Sequence, residues 1–302
     1  MYDLIVIGGG PAGLTAALYA RRANKTVLVI EKGSFGGQIT YSPKVENIPG
    51  FTEITGNEFG EKMVEQVLAQ EAEVECAEVL EVKDGVYKTV VTDSGEFTAK
   101  SLVIATGAKH RLLGLPGEEK YIGEGISFCA VCDGAFYEGK EVAVIGGGNS
   151  ALQEAILLAD LAKKVTVVQN LDFLTGEQKL QDKLATKPNV EVILGTVVDG
   201  FIGGDALEGI RIRKEADGTV SDLMVDGVFV AIGLVPQNEV FSGLVPLDPR
   251  GYIQCGEDCV TGTAGVFAAG DCRTKTIRQV TTAVADGAVA ALAACAYADN
   301  IQ

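Results

Sequence analysis

Apolar residues run almost unbroken from Tyr2 to Ile7, from Thr26 to Ile30, from Glu141 to Ile145 and from Val165 to Val168. Strands without a polar face belong in parallel sheets covered on both sides. In each pair of strands the first leads through a glycine-rich turn into a helical pattern, from about Pro11 to Ala23 and, after the turn from Gly146 to Ala151, to about Ala162. Phe59 to Gln70 shows the spacing of an amphipathic helix. Val74 to Ala99 and Asn189 to Phe229 read as antiparallel meanders, with turns at Asp84-Gly85, Ser94-Gly95, Gly203-Gly204 and Asp217-Gly218. Ser101 to Ala105 and Val266 to Ala269 are further buried strands, and Thr281 to Tyr297 is an Ala-rich helix. The expectation is an α/β protein with two Rossmann-like, three-layer nucleotide-binding domains that carry β-meander insertions.

The turns sharpen that expectation. Gly8, Gly10, Pro11, Ala12 and Gly13 lie between a strand and a helix, and Glu31 ends the next strand. This is the whole dinucleotide fingerprint, in which one glycine makes the turn, one lets a pyrophosphate approach and one lets the helix pack. The acidic residue would accept hydrogen bonds from a ribose. Gly146, Gly148, Asn149, Ser150 and Ala151 repeat the turn, and from Gly8 to Glu31 and from Gly146 to Gln169 the spacing is the same 23 positions. The chain therefore contains two nucleotide-type sites. The copies differ where Glu31 becomes Gln169, followed by Asn170 and Leu171. A 2′-phosphate wants Arg or Lys at this strand end, and none is there. NADPH is disfavoured, NADH is allowed, and a second site that holds no nicotinamide stays open.

Between the two copies lies Cys129-Ala130-Val131-Cys132-Asp133. Two cysteines at this spacing can close a reducible disulfide, and the neighbouring carboxylate can move a proton. Half of a zinc site is the alternative, but it needs a second pair, and only the wider Cys255 and Cys259 offer one. The remaining cysteines, Cys76, Cys272 and Cys295 among them, read mostly as buried small hydrophobes.

Composition narrows the setting. The formal net charge of -16 speaks against nucleic acid and anionic membranes, which require basic patches. Seven cysteines with no signal-like start point to a cytoplasmic protein. No apolar run reads as long enough to span a bilayer.

Together these motifs resemble the low-molecular-weight, bacterial-type thioredoxin reductases over nearly the whole chain. The resemblance also draws on Gly37-Gln38, Val45-Glu46-Asn47, Ala105-Thr106-Gly107, Gly270-Asp271 and Arg278-Gln279. It implies FAD in the first site, within a domain built from residues 1–113 and 245–302. FAD contacts are implied for Gly37, Gln38, Val45, Asn47, Thr106, Gly107, Gly270, Asp271, Arg278 and Gln279. A middle domain, residues 114–244, would be inserted in the FAD domain and carry the dithiol and the nicotinamide-type site. Hinges would fall at Gly114–Gly117 and Gly233–Pro236. Cys132 would receive electrons from the flavin, Cys129 would attack a thioredoxin-like partner, and Asp133 would move the proton. Homodimers are implied as well.

The sequence departs from the family pattern at Gln169-Asn170-Leu171, where the phosphate-binding arginines are missing. Reduced ferredoxin then joins NADH as a candidate donor. Two alternatives to a thioredoxin-linked reductase are the reductase component of a peroxide-reducing system and a flavin redox sensor that does not turn over.

Overall fold

An apolar strand flanked by two others must have both faces covered, and in the N-terminal strand Leu4 and Val6 join a cluster with Leu14, Ala17 and Ala290 while Ile5 and Ile7 join one with Phe241, Val245 and Ile253. This computed structural model describes residues 1–42 and 44–301. In chain order it opens with β1 (Tyr2–Ile7), α1 (Pro11–Arg22), β2 (Val27–Glu31) and α2 (Gly56–Ala69). β3 (Glu73–Cys76), β4 (Val79–Lys83), β5 (Lys88–Thr92) and β6 (Glu96–Ile104) follow. The sheet order is β3-β2-β1-β6-β5-β4. β1 runs parallel to β2 and β6, so Val6 sits between Val29 and Val103. All three are fully buried.

Two details differ from the sequence reading. β3 is not part of the meander and pairs in parallel with β2. β6 is one strand from Glu96 to Ile104, antiparallel to β5 at its start and parallel to β1 through to its end. The apolar count had split it at Lys100, because the alternation of a meander strand gives way there to a fully buried run.

The chain forms two compact units. One holds Met1–Lys44, Ile48–Lys109 and Val235–Gln302, and the other holds Val45–Asn47 and His110–Leu234. The chain passes between them at β7 (Ala108–His110) and again at β16 (Leu234–Pro236).

The second unit begins with α3 (Glu118–Tyr121), β8 (Ile126–Ser127) and the single turn α4 (Ala130–Asp133). Then come β9 (Glu141–Ile145), α5 (Asn149–Ala159), β10 (Lys164–Val168), α6 (Gln178–Ala185) and β11 (Val190–Ile193). β12 (Thr196–Gly203), β13 (Leu207–Lys214), β14 (Val220–Met224) and β15 (Gly227–Val230) complete it before β16 (Leu234–Pro236). Its five strands are ordered β11-β10-β9-β15-β8, and every pairing in this sheet is parallel. The expected meander from Asn189 to Phe229 thus divides three ways. Only β12, β13 and β14 form the antiparallel sheet, while β11 and β15 join the parallel one.

The first unit closes with β17 (Val266–Ala268) and α7 (Val280–Asp299), with β17 parallel to β6. α7 starts at a capping box in which Gln279 and Thr282 serve each other's backbone N–H groups. It is 20 residues long and its most apolar stretch has a mean hydropathy of 1.5, so by length and composition it could cross a membrane, contrary to the sequence expectation. Here Ala283, Gly287, Ala290, Ala291, Ala294 and Ala298 are buried and α7 packs on α1. Small side chains let the two helices come close: a Cβ on Gly287 would run into the Ala12 carbonyl.

Candidate functional site

The first glycine turn is built as a phosphate cradle. Gly8 has φ +111, and a Cβ there would collide with the Ala105 carbonyl oxygen. Gly13 lies so close under the turn that a Cβ would strike the Gly8 carbonyl. Gly10 caps α1 with no side-chain acceptor and Pro11 opens the helix, leaving first-turn N–H groups for an anion. Glu31 Oε2 accepts the Gly9 N–H at 2.7 Å, and Oε1 accepts the Gly33 N–H at 2.8 Å. A cleft lined by Ile7, Gly8, Glu31, Lys32, Thr106 and Val240 opens at the carboxyl ends of β1 and β2. The strand order reverses beside β1, which is where open α/β sheets bind ligands.

The other residues expected at this site are placed as follows. Gly36 donates its N–H to the Gly9 carbonyl at 2.8 Å, which lays Gly37 against Gly10. Gln38 donates its side-chain amide to the Ala108 carbonyl. Thr106 and Asn238 are joined side chain to side chain at 3.0 Å, and Gly107 takes φ +69. Ala12 packs on Gly270, where a Cβ would come within 2.9 Å of the Ala12 methyl. Asp271 Oδ1 and Arg278 Nε are buried with no hydrogen-bond partner among the described residues. Burial pushes the Asp271 carboxyl up, against the pull of Lys275 and Arg278. The Arg278 guanidinium lies 4.5 Å over the Tyr252 ring. Gln279 caps α7. Val45 and Asn47 group with the second unit, Val45 buried and Asn47 exposed.

The second turn repeats the first within the other unit. Gly146 has φ +128, and a Cβ there would approach the Ala231 carbonyl to 2.6 Å. Ala151 stands where Gly13 stands in the first copy, and Gly148 caps α5 without a side-chain acceptor. Thr175 and Gly176 both donate to the Gly147 carbonyl at 2.9 Å, as Gly36 does to Gly9. Gln169 is 4% exposed, lies against Gly147, and gives its amide to the Phe173 carbonyl at 3.3 Å. Asn170 is exposed, and Asn149 exchanges hydrogen bonds with Glu177. Ser150 is exposed at the start of α5.

Cys129 and Cys132 are joined in a disulfide, with Cα atoms 5.3 Å apart. Cys129 caps α4, and its sulfur accepts the Cys132 N–H at 3.1 Å. Such a contact favours a thiolate when the pair is reduced. Burial raises the Asp133 carboxyl, while a 2.6 Å hydrogen bond from Ser127 Oγ to its Oδ2 opposes the rise. The His110 ring stacks on Phe128, next to Cys129, with centroids 4.6 Å apart, and burial lowers its pKa to about 4. Val131 between the cysteines is 64% exposed. Cys255 and Cys259 are thiols pushed up to about 12 by burial, which leaves them unreactive.

Several residues here carry no motif. Asn238 is buried and gives its amide to the Gly251 and Cys272 carbonyls, fixing the loop that meets Thr106. Asp286 lies buried in α7 and receives Gly270 N–H at 3.0 Å, Arg273 at 2.7 and 2.9 Å, and Lys275 at 2.8 Å. A carboxylate in the middle of a 20-residue apolar helix, apart from Asp299 at its exposed end, is a signal that the sequence did offer, since a buried charge requires partners.

Comparison with known proteins agrees with this geometry. Residues 2–287 match the pyridine nucleotide-disulphide oxidoreductase family, and the chain belongs to it. A thioredoxin reductase of Listeria monocytogenes is 43% identical, covering 100% of this chain and 95% of its own. A 34.2 kDa protein in the rubredoxin operon of Clostridium pasteurianum is 42% identical over 98% of this chain and 96% of its own. The crystal structure of a thioredoxin reductase from Streptococcus pyogenes superposes with TM-score 0.94 at 42% identity, covering 99% of this chain and 98% of that one. Within the family the chain is an oxidoreductase of the thioredoxin reductase type.

Proposed function

We propose that the chain is a flavin-dependent disulfide reductase that passes electrons through FAD to Cys129–Cys132 and on to a thioredoxin-like protein, from a donor other than NADPH. The observation that carries this is the Cys129–Cys132 disulfide beside half-buried Asp133, in a chain with two dinucleotide turns. FAD would lie on Gly8, Gly10, Pro11, Ala12 and Gly13, with Glu31 toward the adenosine ribose. Each Glu31 oxygen accepts one backbone N–H and keeps a second lone pair for a hydroxyl. Gly37, Gln38, Thr106, Gly107 and Gln279 would border the rest of the site, with Val45 and Asn47 contributing from their own segment. Asp271 Oδ1 and Arg278 Nε supply a buried acceptor and a buried donor that fit a polar cofactor. Bound there, FAD would supply the two-electron chemistry that links the donor to the disulfide.

The protein's own residues divide the remaining work. Cys129 serves as the attacking sulfur, its thiolate eased by the Cys132 N–H. Cys132 closes on Cys129 to release the reduced partner. Asp133, held toward its protonated form by burial, accepts and returns the proton of each sulfur. Exposed Val131 offers an apolar contact for the partner. Five further cysteines remain free thiols, as suits a reducing cytoplasm. The outer face of α7 carries Ala285, Val289, Leu292 and Ala296, all exposed and apolar, and a second copy of this chain would cover it in a homodimer.

Donor choice follows from the end of β10. Gln169 is neutral and engaged with Phe173, Asn170 and Leu171 are uncharged, and the next cation in sequence is Lys179. Gly146, Gly148, Asn149 and Ser150 keep the nucleotide turn, which supports NADH with Gln169 and Asn170 toward the ribose. The second reading of the donor is reduced ferredoxin, with the Gly146 turn kept only as a scaffold. In the double variant Asn170→Arg/Leu171→Arg, NADPH-supported kcat/KM should rise by about ten- to a hundredfold, the scale of one or two charge-assisted bonds. Unchanged kcat/KM would remove the charge argument. Multiple turnovers of thioredoxin-like disulfide per protein, measured with each donor, separate an enzyme from a sensor. A single stoichiometric reduction would leave only the sensor.

A further inference from the structure

Two buried carboxyl groups lie on the helices that carry and flank the redox pair. Asp133 ends α4, Glu154 lies on α5, and the two helices pack together. Asp133 Oδ1 and Glu154 Oε2 are both buried, and neither has a hydrogen-bond partner among the described residues. Interiors hold few such atoms, so two on adjoining helices need a physical reason. Glu154 is pushed up to about 8, first by burial and then by the Asp133 charge.

The surrounding charges do not neutralise this pair. On α6, Lys179, Asp182 and Lys183 are exposed. Glu141 on β9 pairs with Lys163 at 2.7 Å, and Lys164 on β10 pairs with Glu191 at 2.7 Å. Tyr137, just after α4, is pushed up to about 12 by burial and then by the charges of Asp133, Asp226 and Glu124. Lys140 stands 5.3 Å over the Tyr137 ring.

We propose that Glu154 is a positioning residue that acts through Asp133: each carboxyl, with an unpartnered buried oxygen on packed helices, feels the charge of the other, and Glu154 sets how readily Asp133 takes up and returns a proton beside the dithiol. This rests on the disulfide-reductase reading above. In exchange with a partner disulfide, Cys129 gives its proton to Asp133 and bonds one partner sulfur as the partner S–S bond breaks. The electron pair leaves on the other partner sulfur, which takes the proton from Asp133. Cys132 then gives its proton to Asp133 and bonds Cys129, and the second partner sulfur leaves with that proton. The partner gains two electrons and two protons, and Cys129 and Cys132 lose them. While Glu154 is neutral, the pair carries at most one charge. Once it ionises, its charge opposes formation of either thiolate.

The test is alkylation of the reduced full-length protein with iodoacetamide from about pH 6 to about pH 10, with each cysteine read by peptide mass spectrometry. Wild type and Glu154→Gln should react alike while Glu154 is neutral. Above about pH 8 the variant should react faster at Cys129 or Cys132, by up to about tenfold, the effect of one pK unit. Glu154→Asp should restore the wild-type profile. Superimposed profiles, or an offset that is the same at every pH, would overturn the proposal. If Glu154→Gln does not fold, NMR of 13C-glutamate-labelled wild-type protein decides: one glutamate titrating near 8 supports it, and none above the usual carboxylate range overturns it. Alkylation is read without turnover, so a failed reductase reading would appear separately, as no disulfide reduction alongside an intact difference between the profiles.

Discussion

Cys132→Ser is expected to lower reduction of a thioredoxin-like disulfide by about 10³-fold or more, the scale on which loss of a covalent participant acts. The chemistry needs both sulfurs. Cys129 alone can attack the partner, but without Cys132 nothing inside the protein displaces the reduced partner from the mixed disulfide. The variant should therefore also accumulate that adduct, visible as one added partner mass in intact mass spectrometry. Cys129→Ser should lose activity without trapping the partner. Full turnover in Cys132→Ser would remove the dithiol from the mechanism.

Asp286→Ala is expected to destabilise the first unit by about 3–5 kcal/mol, the cost of removing one partner from a buried ion pair. Arg273 and Lys275 have side chains only 1% and 5% exposed, and Asp286 is the buried charge that both meet, with the neutral Thr274 carbonyl and Thr282 hydroxyl as further partners. The second interaction of Arg273, with Glu257 at 3.4 Å, reaches a side chain that is 92% exposed and offers little compensation. Against a total stability of about 5–15 kcal/mol, the loss would be plain in a denaturant midpoint. Burial pushes the Asp286 carboxyl up, but Arg273 and Lys275 outweigh it and hold it below the usual carboxylate range. A depressed carboxylate stabilises the fold above its unfolded pKa and loses that contribution as pH falls through the folded value. The wild-type protein should therefore lose stability on acidification, and Asp286→Ala should lose less. Because Asp286 also takes the Gly270 N–H, the variant should bind FAD more weakly.

The elements most legible in the sequence were those set by local rules. Gly8 and Gly146 need positive φ, Gly13 and Ala151 must be small, and β1 and β9 are apolar on both faces, so both turns announce themselves. Cys129 and Cys132 are legible because two cysteines three positions apart can close a bridge within one turn. Strand partners were less so. β3 and β11 look like meander strands, and only their alignment beside β2 and β10 puts them in parallel sheets. The polar networks were hidden further, since Asp286 meets Arg273 through space, and Glu154 feels the charge of Asp133 only because α5 lies on α4. α7 was legible as an Ala-rich helix: its small residues serve close packing on α1, although its hydropathy resembles that of a membrane span.

The most direct test of the account is anaerobic reduction of the purified flavoprotein, followed by loss of the flavin absorbance band with NADPH, NADH and reduced ferredoxin offered in turn. The account predicts slow bleaching by NADPH and rapid bleaching by NADH or ferredoxin, followed by appearance of free Cys129 and Cys132 thiols. Bleaching by NADH alone would assign Gln169 and Asn170 to an unphosphorylated ribose, and bleaching by ferredoxin alone would make the Gly146 turn a structural remnant. Rapid bleaching by NADPH, or flavin reduction that never opens the Cys129–Cys132 disulfide, would contradict it.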